Sequence, residues 1–181
     1  MALTPTLWRT SRVLSGSARL ELLRRILDMP DARVMDLAVA ADLSESRASQ
    51  ELRRLQSRGL VQAVRQGTGV AYRPVPDPAV ASAKPLLTAA KTALAQCSLE
   101  STRLVAKAFG HERRLNVVRI LRQGKCGFAE LAVAAGMPQM ALFRHLRVLQ
   151  AGQVVRKKKG DWELAPNAHP LARAFSALLG D

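Results

Sequence analysis

The sequence is short of several things, and each shortage removes a class of protein. Aromatic residues are only 4% of the 181 residues. A core must then be built from Ala, Leu and Val, which favours helices over a large sheet. There are 2 cysteines, Cys97 and Cys126, too few for a disulfide scaffold or a four-thiolate zinc site. No run of about 18 uncharged apolar residues exists, which excludes a membrane-spanning helix. The opening stretch, MALTPTLWRTSRVL, carries Arg9 and Arg12 inside its apolar run. It lacks the layout of a secretory leader, so a cytoplasmic location is expected. Acidic residues are scarce: 14 Asp+Glu face 28 Lys+Arg, for a net charge of +14. A polyanionic partner is the first expectation, although basic charge also suits membrane surfaces or plain solubility. No G-x-S-x-G, no Gly-rich phosphate loop and no H-E-x-x-H is present, so no enzyme is expected and no cofactor is implied.

What is present is enough apolar material for a core, 48% of the chain, and this argues against disorder. The charge is spread: +5 over residues 1–76, +2 over 77–110 and +7 over 111–181. It therefore sits on folded segments and not on a basic tail. The strongest feature is an internal repeat. Leu37 to Val61 reads LAVAADLSESRASQELRRLQSRGLV, and Leu131 to Val155 reads LAVAAGMPQMALFRHLRVLQAGQVV, 94 residues further on. Upstream, RLELLRRIL (19–27) matches RLNVVRIL (114–121) across a one-residue gap. Each copy spans about 60 residues, which is too long for a solenoid unit and suits a duplicated small domain.

Each copy reads as the same series of elements. Leu20, Leu23 and Leu27 recur at helical spacing, as do Leu115, Val118 and Leu121. A short helix follows, over 34–41 or 129–135, then a turn, Asp42-Leu43-Ser44 or Gly136-Met137-Pro138. A third helix is expected over about 45–58 and 138–151, with Ser44 as an N-cap and Gly59 at a C′ position. Its apolar stripe is Ala48, Leu52 and Leu55 in one copy and Ala141, Leu142, Leu146 and Leu149 in the other. The period then drops to two. Val61 and Val64 lead through a tip at 65–69 to Val70-Ala71-Tyr72, and Val154-Val155 lead through the basic run 156–161 to Trp162-Glu163-Leu164. Helix, short helix, turn, helix, β-hairpin is the layout of a winged helix-turn-helix. Between the copies, residues 77–110 read as two helices, with Ser98 as an N-cap. The expected fold is mainly α with small β-hairpins: winged-helix domains over 1–76 and 111–181, joined by a helical linker over 77–110.

The stretch from Ser49 to Val61, SQELRRLQSRGLV, resembles the ArsR-type winged-helix family of transcriptional repressors, and so does His145-Leu146-Arg147-Val148-Leu149 in the second copy. In the second copy Gly152 stands one place early and Gln153 occupies the expected glycine position. The resemblance spans about two-thirds of the chain. It implies double-stranded DNA as partner, with the third helix of each copy as the reading element. In copy one, Arg47 and Gln50 are the candidates for guanine and adenine edges, because bidentate donors discriminate bases in a major groove. Ser46, Ser49 and Arg53 are candidates for phosphates, a set that Arg54 and Arg58 extend, and Ser44 is a candidate on the same first turns. Copy two has apolar Met140 and Phe143 where copy one has Ser46 and Ser49. These suit thymine methyls or an interface between domains or protomers, and the interface is favoured. Arg144, His145 and Arg147 remain backbone candidates. In the wings, Arg156, Lys157, Lys158 and Lys159 form one basic run, and Arg65, Gln66 and Thr68 lie on the other hairpin, placed for phosphates or a minor groove.

Metal-sensing members of this family carry a Cys-x-Cys in the second helix. Here the matching segments are Asp36-Leu37-Ala38-Val39-Ala40 and Glu130-Leu131-Ala132-Val133-Ala134. Alanines replace the thiolates, so no soft-metal site is expected. Cys97 is expected as a buried small hydrophobe on a linker helix, and Cys126 in an exposed loop. His111, His145 and His169 have no ligand spacing. Flanking helices in the family serve as dimer elements, and the resemblance implies a homodimer through the terminal and linker helices in which copy one of each chain reads DNA, with one chain as a pseudo-dimer on an asymmetric site as the alternative. Two functions stay open: a DNA-binding regulator with two winged helices, its effector unspecified, or a tandem winged-helix module that binds protein or RNA.

Overall fold

The computed structural model describes residues 7–67, 69–166 and 168–179. It is mainly helical, and its element order runs twice through the same series. The first pass is α1 (Leu7–Leu14), α2 (Ser17–Asp28), β1 (Ala32–Arg33), α3 (Val34–Ala40), α4 (Glu45–Gln56), β2 (Gln62–Gln66), β3 (Gly69–Arg73) and α5 (Ala83–Gln96). The second is α6 (Leu99–Phe109), α7 (Glu112–Gln123), α8 (Phe128–Ala134), α9 (Gln139–Ala151), β4 (Val155–Lys158), β5 (Asp161–Leu164) and α10 (Pro170–Leu178). The two central helices therefore divide between the passes. Helix α5 follows the first hairpin as α10 follows the second, and α6 precedes α7 as α1 precedes α2.

The periodic leucines do what their spacing dictates. Leu20, Leu23, Leu37, Leu52 and Leu55 are fully buried in the first half, as are Leu131, Leu142, Leu146 and Leu149 in the second. At about 25 cal/mol per Å² of apolar area, such side chains are the main stabilising term. Ser44 and Ser98 cap α4 and α6: Ser44 Oγ accepts from Arg47 N–H at 3.3 Å, and Ser98 Oγ from Ser101 N–H at 3.1 Å. Two details go beyond the alternation. The two-residue strand β1 joins the first hairpin in the order β1-β3-β2, pairing Ala32 with Tyr72. In the second half a single bridge, Cys126 with Trp162, takes its place. Cys126 is therefore buried, not looped out, and burial pushes its thiol upward, with Glu130 and Asp161 adding to the shift. Cys97 differs as well: it lies at the C-cap of α5 and is half-buried.

One turn device occurs four times and links sequence to backbone. Helices α3, α4, α8 and α9 each end with a residue of positive φ followed by an N–H bonded five residues back. The bonds are Leu43 N–H to Ala38 O (2.9 Å), Leu60 to Leu55 (3.2 Å), Met137 to Ala132 (3.1 Å) and Val154 to Leu149 (2.9 Å). The left-handed residues are Asp42 (φ 52°), Gly59 (φ 68°), Gly136 (φ 60°) and Gln153 (φ 53°). This is the Schellman ending, which favours glycine because a Cβ is strained there. Gly59 fills the role its place in the sequence implies. The position where Gln153 replaces it keeps the same conformation. Asp42 and Gly136 are equivalent sites with opposite choices, and a Cβ on Gly136 would meet open space. Substitutions there report backbone preference alone. Asp42→Gly is expected to stabilise and Gly136→Ala to destabilise, each by about 1 kcal/mol. Urea unfolding reads both, and equal signs would contradict the assignment.

The two passes pack against each other through equivalent helices. Helix α1 packs on α6, and α5 packs on α10. At the first of these contacts Ser11 Oγ donates to Ala106 O at 2.6 Å in a buried position. Phe109 of α6 and Phe175 of α10 stack with centroids 5.0 Å apart. The first residues of α2 and α7 repeat one further device, an arginine that caps the preceding helix. Arg19 Nε donates to Val13 O (2.5 Å), and Arg114 Nε to Ala108 O (2.7 Å).

Candidate nucleic-acid interface

The face α4 turns to solvent follows from its register. Ala48, Leu52 and Leu55 are buried, so at 100° per residue the opposite side carries Ser46, Gln50 and Arg53. All three are exposed, as is Arg47 on one flank, while Ser49 on the other flank is half-buried. Ser44 is spent as the N-cap acceptor, though its hydroxyl proton remains available to a phosphate oxygen. Arg54 stands differently from the expectation. Its guanidinium donates to Glu51 at 2.8 Å, on the side of the helix that faces α2, because Glu51 is already held there by Arg19 at 2.6 Å.

Helix α9 has the same register, and its outward positions are Met140, Arg144 and Arg147, with Phe143 on the flank. Met140 is 66% and Phe143 47% exposed, so neither is used in packing between the two halves of the chain. Arg144 and Arg147 are exposed. His145 is not on this face. It takes the place of Glu51 and is half-buried, its ring 4.9 Å from His111.

The hairpins are tighter than the alternation suggests. Gln66 pairs with Gly69 and Lys158 with Asp161. Arg65 and Gln66 therefore lie at the end of strand β2, and Arg156, Lys157 and Lys158 lie within β4. Only Lys159 and Gly160 form the second tip, with φ of 50° and 94°, the pattern of a type I′ turn. Thr68, at the first tip, lies outside the described residues. Arg156 donates to Glu163 at 2.6 Å, so its charge is neutralised across the strand pair. Lys157, Lys158 and Lys159 are exposed and make no ion pair among the described residues. Lys125 of the preceding loop takes Asp161 at 3.1 Å.

Histidine in place of glutamate changes the electrostatics of the second half. Burial holds the His145 imidazole below its ordinary range, with His111, Arg114 and Arg113 adding to the effect. His111 is lowered by burial and then by Arg114, with Glu112 opposing. A group whose folded pKa is depressed adds stability above its unfolded value, and that stability is lost as pH falls through the folded value. The unfolded value for histidine is about 6.5. The protein is therefore expected to lose stability between about pH 7 and pH 5. His145→Glu rebuilds the arrangement of Glu51 and Arg19 beside Arg114. It should raise stability near neutral pH by on the order of 1 kcal/mol and blunt the acid loss. Urea midpoints at both pH values test this, and an identical acid loss in the variant would contradict it.

Among the described residues, no helix is long and apolar enough to cross a membrane, and no three His, Cys, Asp or Glu side chains gather as a metal site would need. Helix, short helix, turn, exposed helix and basic hairpin together define a winged helix-turn-helix. Residues 111–157 match the family model described as bacterial regulatory protein, arsR family. That stretch is an ArsR-family helix-turn-helix domain, the fold of DNA-binding regulators, typically without enzymatic activity. It runs from the N-cap of α7 through α9 into β4. No curated protein matches the chain.

Proposed function

We propose that the protein is a DNA-binding transcriptional regulator carrying two winged helices as an internal pair within one chain. The observation that carries this is the family match at residues 111–157, joined to a first half with the same element order and the same turn endings. Pairing of α1 with α6 and of α5 with α10 places like against like, as an isologous dimer interface does. A homodimer through the terminal and linker helices would need their apolar faces. Leu14, Leu86, Ala90, Phe109 and Phe175 are buried within the chain. One chain then presents two unlike reading helices to an asymmetric site. Helix α4 supplies Arg47 and Gln50 as base readers, with Ser44, Ser46, Ser49 and Arg53 on the backbone. Helix α9 adds Arg144 and Arg147, and the wings add Arg65, Gln66, Lys157, Lys158 and Lys159. Alanines at 38, 40, 132 and 134 leave no thiolate sensor in this reading.

The roles separate by mutation. Arg47→Ala and Gln50→Ala should each relax sequence preference by about 1–3 kcal/mol at one position. Replacing Lys157, Lys158 and Lys159 together should weaken every sequence alike. Gel shifts on genomic fragments with unlabelled competitor read both, and light scattering should give the mass of one chain. Lysine changes that alter base preference while the Arg47 change does not would reverse the assignment. The exposed Met140 and Phe143 favour a second reading, a tandem winged-helix module for protein or RNA. That reading predicts no selective duplex shift.

A further inference from the structure

A cleft of about 460 Å³ opens between α1, the start of α2 and the end of α4. Trp8, Arg9, Arg12, Arg19, Arg54 and Arg58 line it. Among the described residues the one carboxylate paired with these five guanidinium groups is Glu51, and both its oxygens are engaged, Oε2 by Arg19 at 2.6 Å and Oε1 by Arg54 at 2.8 Å. Arg9, Arg12 and Arg58 have no ion-pair partner among the described residues, and Nε of Arg58 is buried without an acceptor. The guanidinium of Arg9 lies 5.2 Å above the Trp8 ring, which holds it in place by cation–π attraction. We propose that this cleft is a binding site for a compact anion carrying at least two negative charges, of phosphate-ester or diphosphate type. Guanidinium forks match such oxygens in pairs, and several converging on one concave space are repelled from one another until an anion joins them.

The second half of the chain shows that the fold does not require three of these five charges, those of Arg9, Arg54 and Arg58. The equivalent positions there hold Arg103 for Trp8, Leu104 for Arg9, Lys107 for Arg12, Val148 for Arg54 and Gly152 for Arg58. Arg103, the counterpart of Trp8, is paired with Glu100 at 2.6 Å. Gly152 lets α9 close on α6, where an added Cβ would stand 2.7 Å from Ala108 Cβ. In the first half Arg54 and Arg58 occupy those places, and α4 packs only lightly on α1. The same pair of helices thus packs closely in one copy and stands apart around arginines in the other. A DNA backbone is the less suitable occupant. The reading end of α4 begins at Glu45 and Arg58 follows its last turn, about 18 Å away along the axis, and the cleft lies on the α1 side.

Titration calorimetry of the full chain with inorganic pyrophosphate tests the site without reference to DNA binding. One saturable site per chain is expected at about 0.15 M salt. Arg9→Gln with Arg58→Met should weaken it by at least about tenfold, the loss of one to two charge-assisted bonds. The Lys157, Lys158 and Lys159 alanine variant should bind pyrophosphate as the parent does. Far-UV circular dichroism and thermal melting show whether the cleft variant is folded, and Arg9→Gln alone, a surface change, serves if the double variant is not. No saturable binding overturns the proposal, as does binding lost in the lysine variant but kept in the cleft variants. Displacement of pyrophosphate by a short duplex, with weaker DNA binding in the cleft variant, would assign the arginines to the DNA backbone and equally overturn it. If pyrophosphate binds as described while no duplex is ever shifted, the cleft stands and the regulator reading falls.

Discussion

Affinity for duplex DNA is expected to fall by roughly 10³–10⁵ between 50 and 200 mM salt. The size of the drop depends on which cations are free to displace counterions. Arg47, Arg53, Arg65, Arg144, Arg147, Lys157, Lys158 and Lys159 are exposed and have no carboxylate partner among the described residues. Arg54 and Arg156 are held by Glu51 and Glu163 and contribute less. If all the free groups meet phosphates, the slope of log affinity against log salt approaches about −7. Replacing Lys157, Lys158 and Lys159 should make it shallower by up to about three, roughly one for each phosphate that no longer meets a cation. Fluorescence anisotropy with a labelled duplex across a salt series measures both. A flat response would remove the electrostatic basis for DNA as the partner. A slope unchanged in the lysine variant would move the second wing off the DNA.

Gly152→Ala is expected to destabilise the protein by about 3 kcal/mol, far more than alanine usually does on a helix end. The backbone at Gly152 is ordinary, with φ −81° and ψ 6°, so conformational strain plays no part. The effect comes from crowding. An added Cβ would stand 2.7 Å from Ala108 Cβ and 2.9 Å from Leu104 O, and Leu104 O belongs to the backbone of α6, which has no rotamer with which to yield. Gly152→Val should lower stability further and separate α9 from α6. Urea unfolding followed by circular dichroism reads the loss. A change within about 0.5 kcal/mol would show that α6 and α9 pack more loosely than these distances require.

This position also explains the departure from the family pattern. The glycine expected at the end of the third helix stands one residue early in the second copy. Two demands fall on neighbouring residues there: a left-handed ending at 153 and a close helix crossing at 152. Glycine serves the crossing, where no side chain fits, and Gln153 accepts the left-handed backbone, which is strained but possible. The acid-sensitive pair His111 and His145 arises from a similar exchange. The shoulder of α9 that carries a carboxylate in α4 carries an imidazole, and Arg114 keeps its place on the Ala108 and Lys107 carbonyls with no carboxylate partner among the described residues.

The winged-helix layout was legible in the chain itself. Leucine spacing, Ser44 and Ser98 as caps, Gly59 at a helix end and the change of period near 61 and 154 are local signals, and local physics decides them. The outward face of α4 followed too, because burying Ala48, Leu52 and Leu55 leaves only one side for Ser46, Gln50 and Arg53. Other features were decided only when distant segments met. Strand β1 is two residues long and exists because Tyr72 is beside it. Cys126 is buried because Trp162 pairs with its backbone. Arg54, Arg156 and His145 read in sequence as basic or polar surface. Their directions were set by Glu51, Glu163 and His111, from one turn to more than 30 residues away. The packing of α1 on α6 and α5 on α10, and the arginine cleft left where α4 stands off α1, depend on how two similar halves meet. That choice is a matter of side-chain volume at an interface, and no periodicity within either half encodes it.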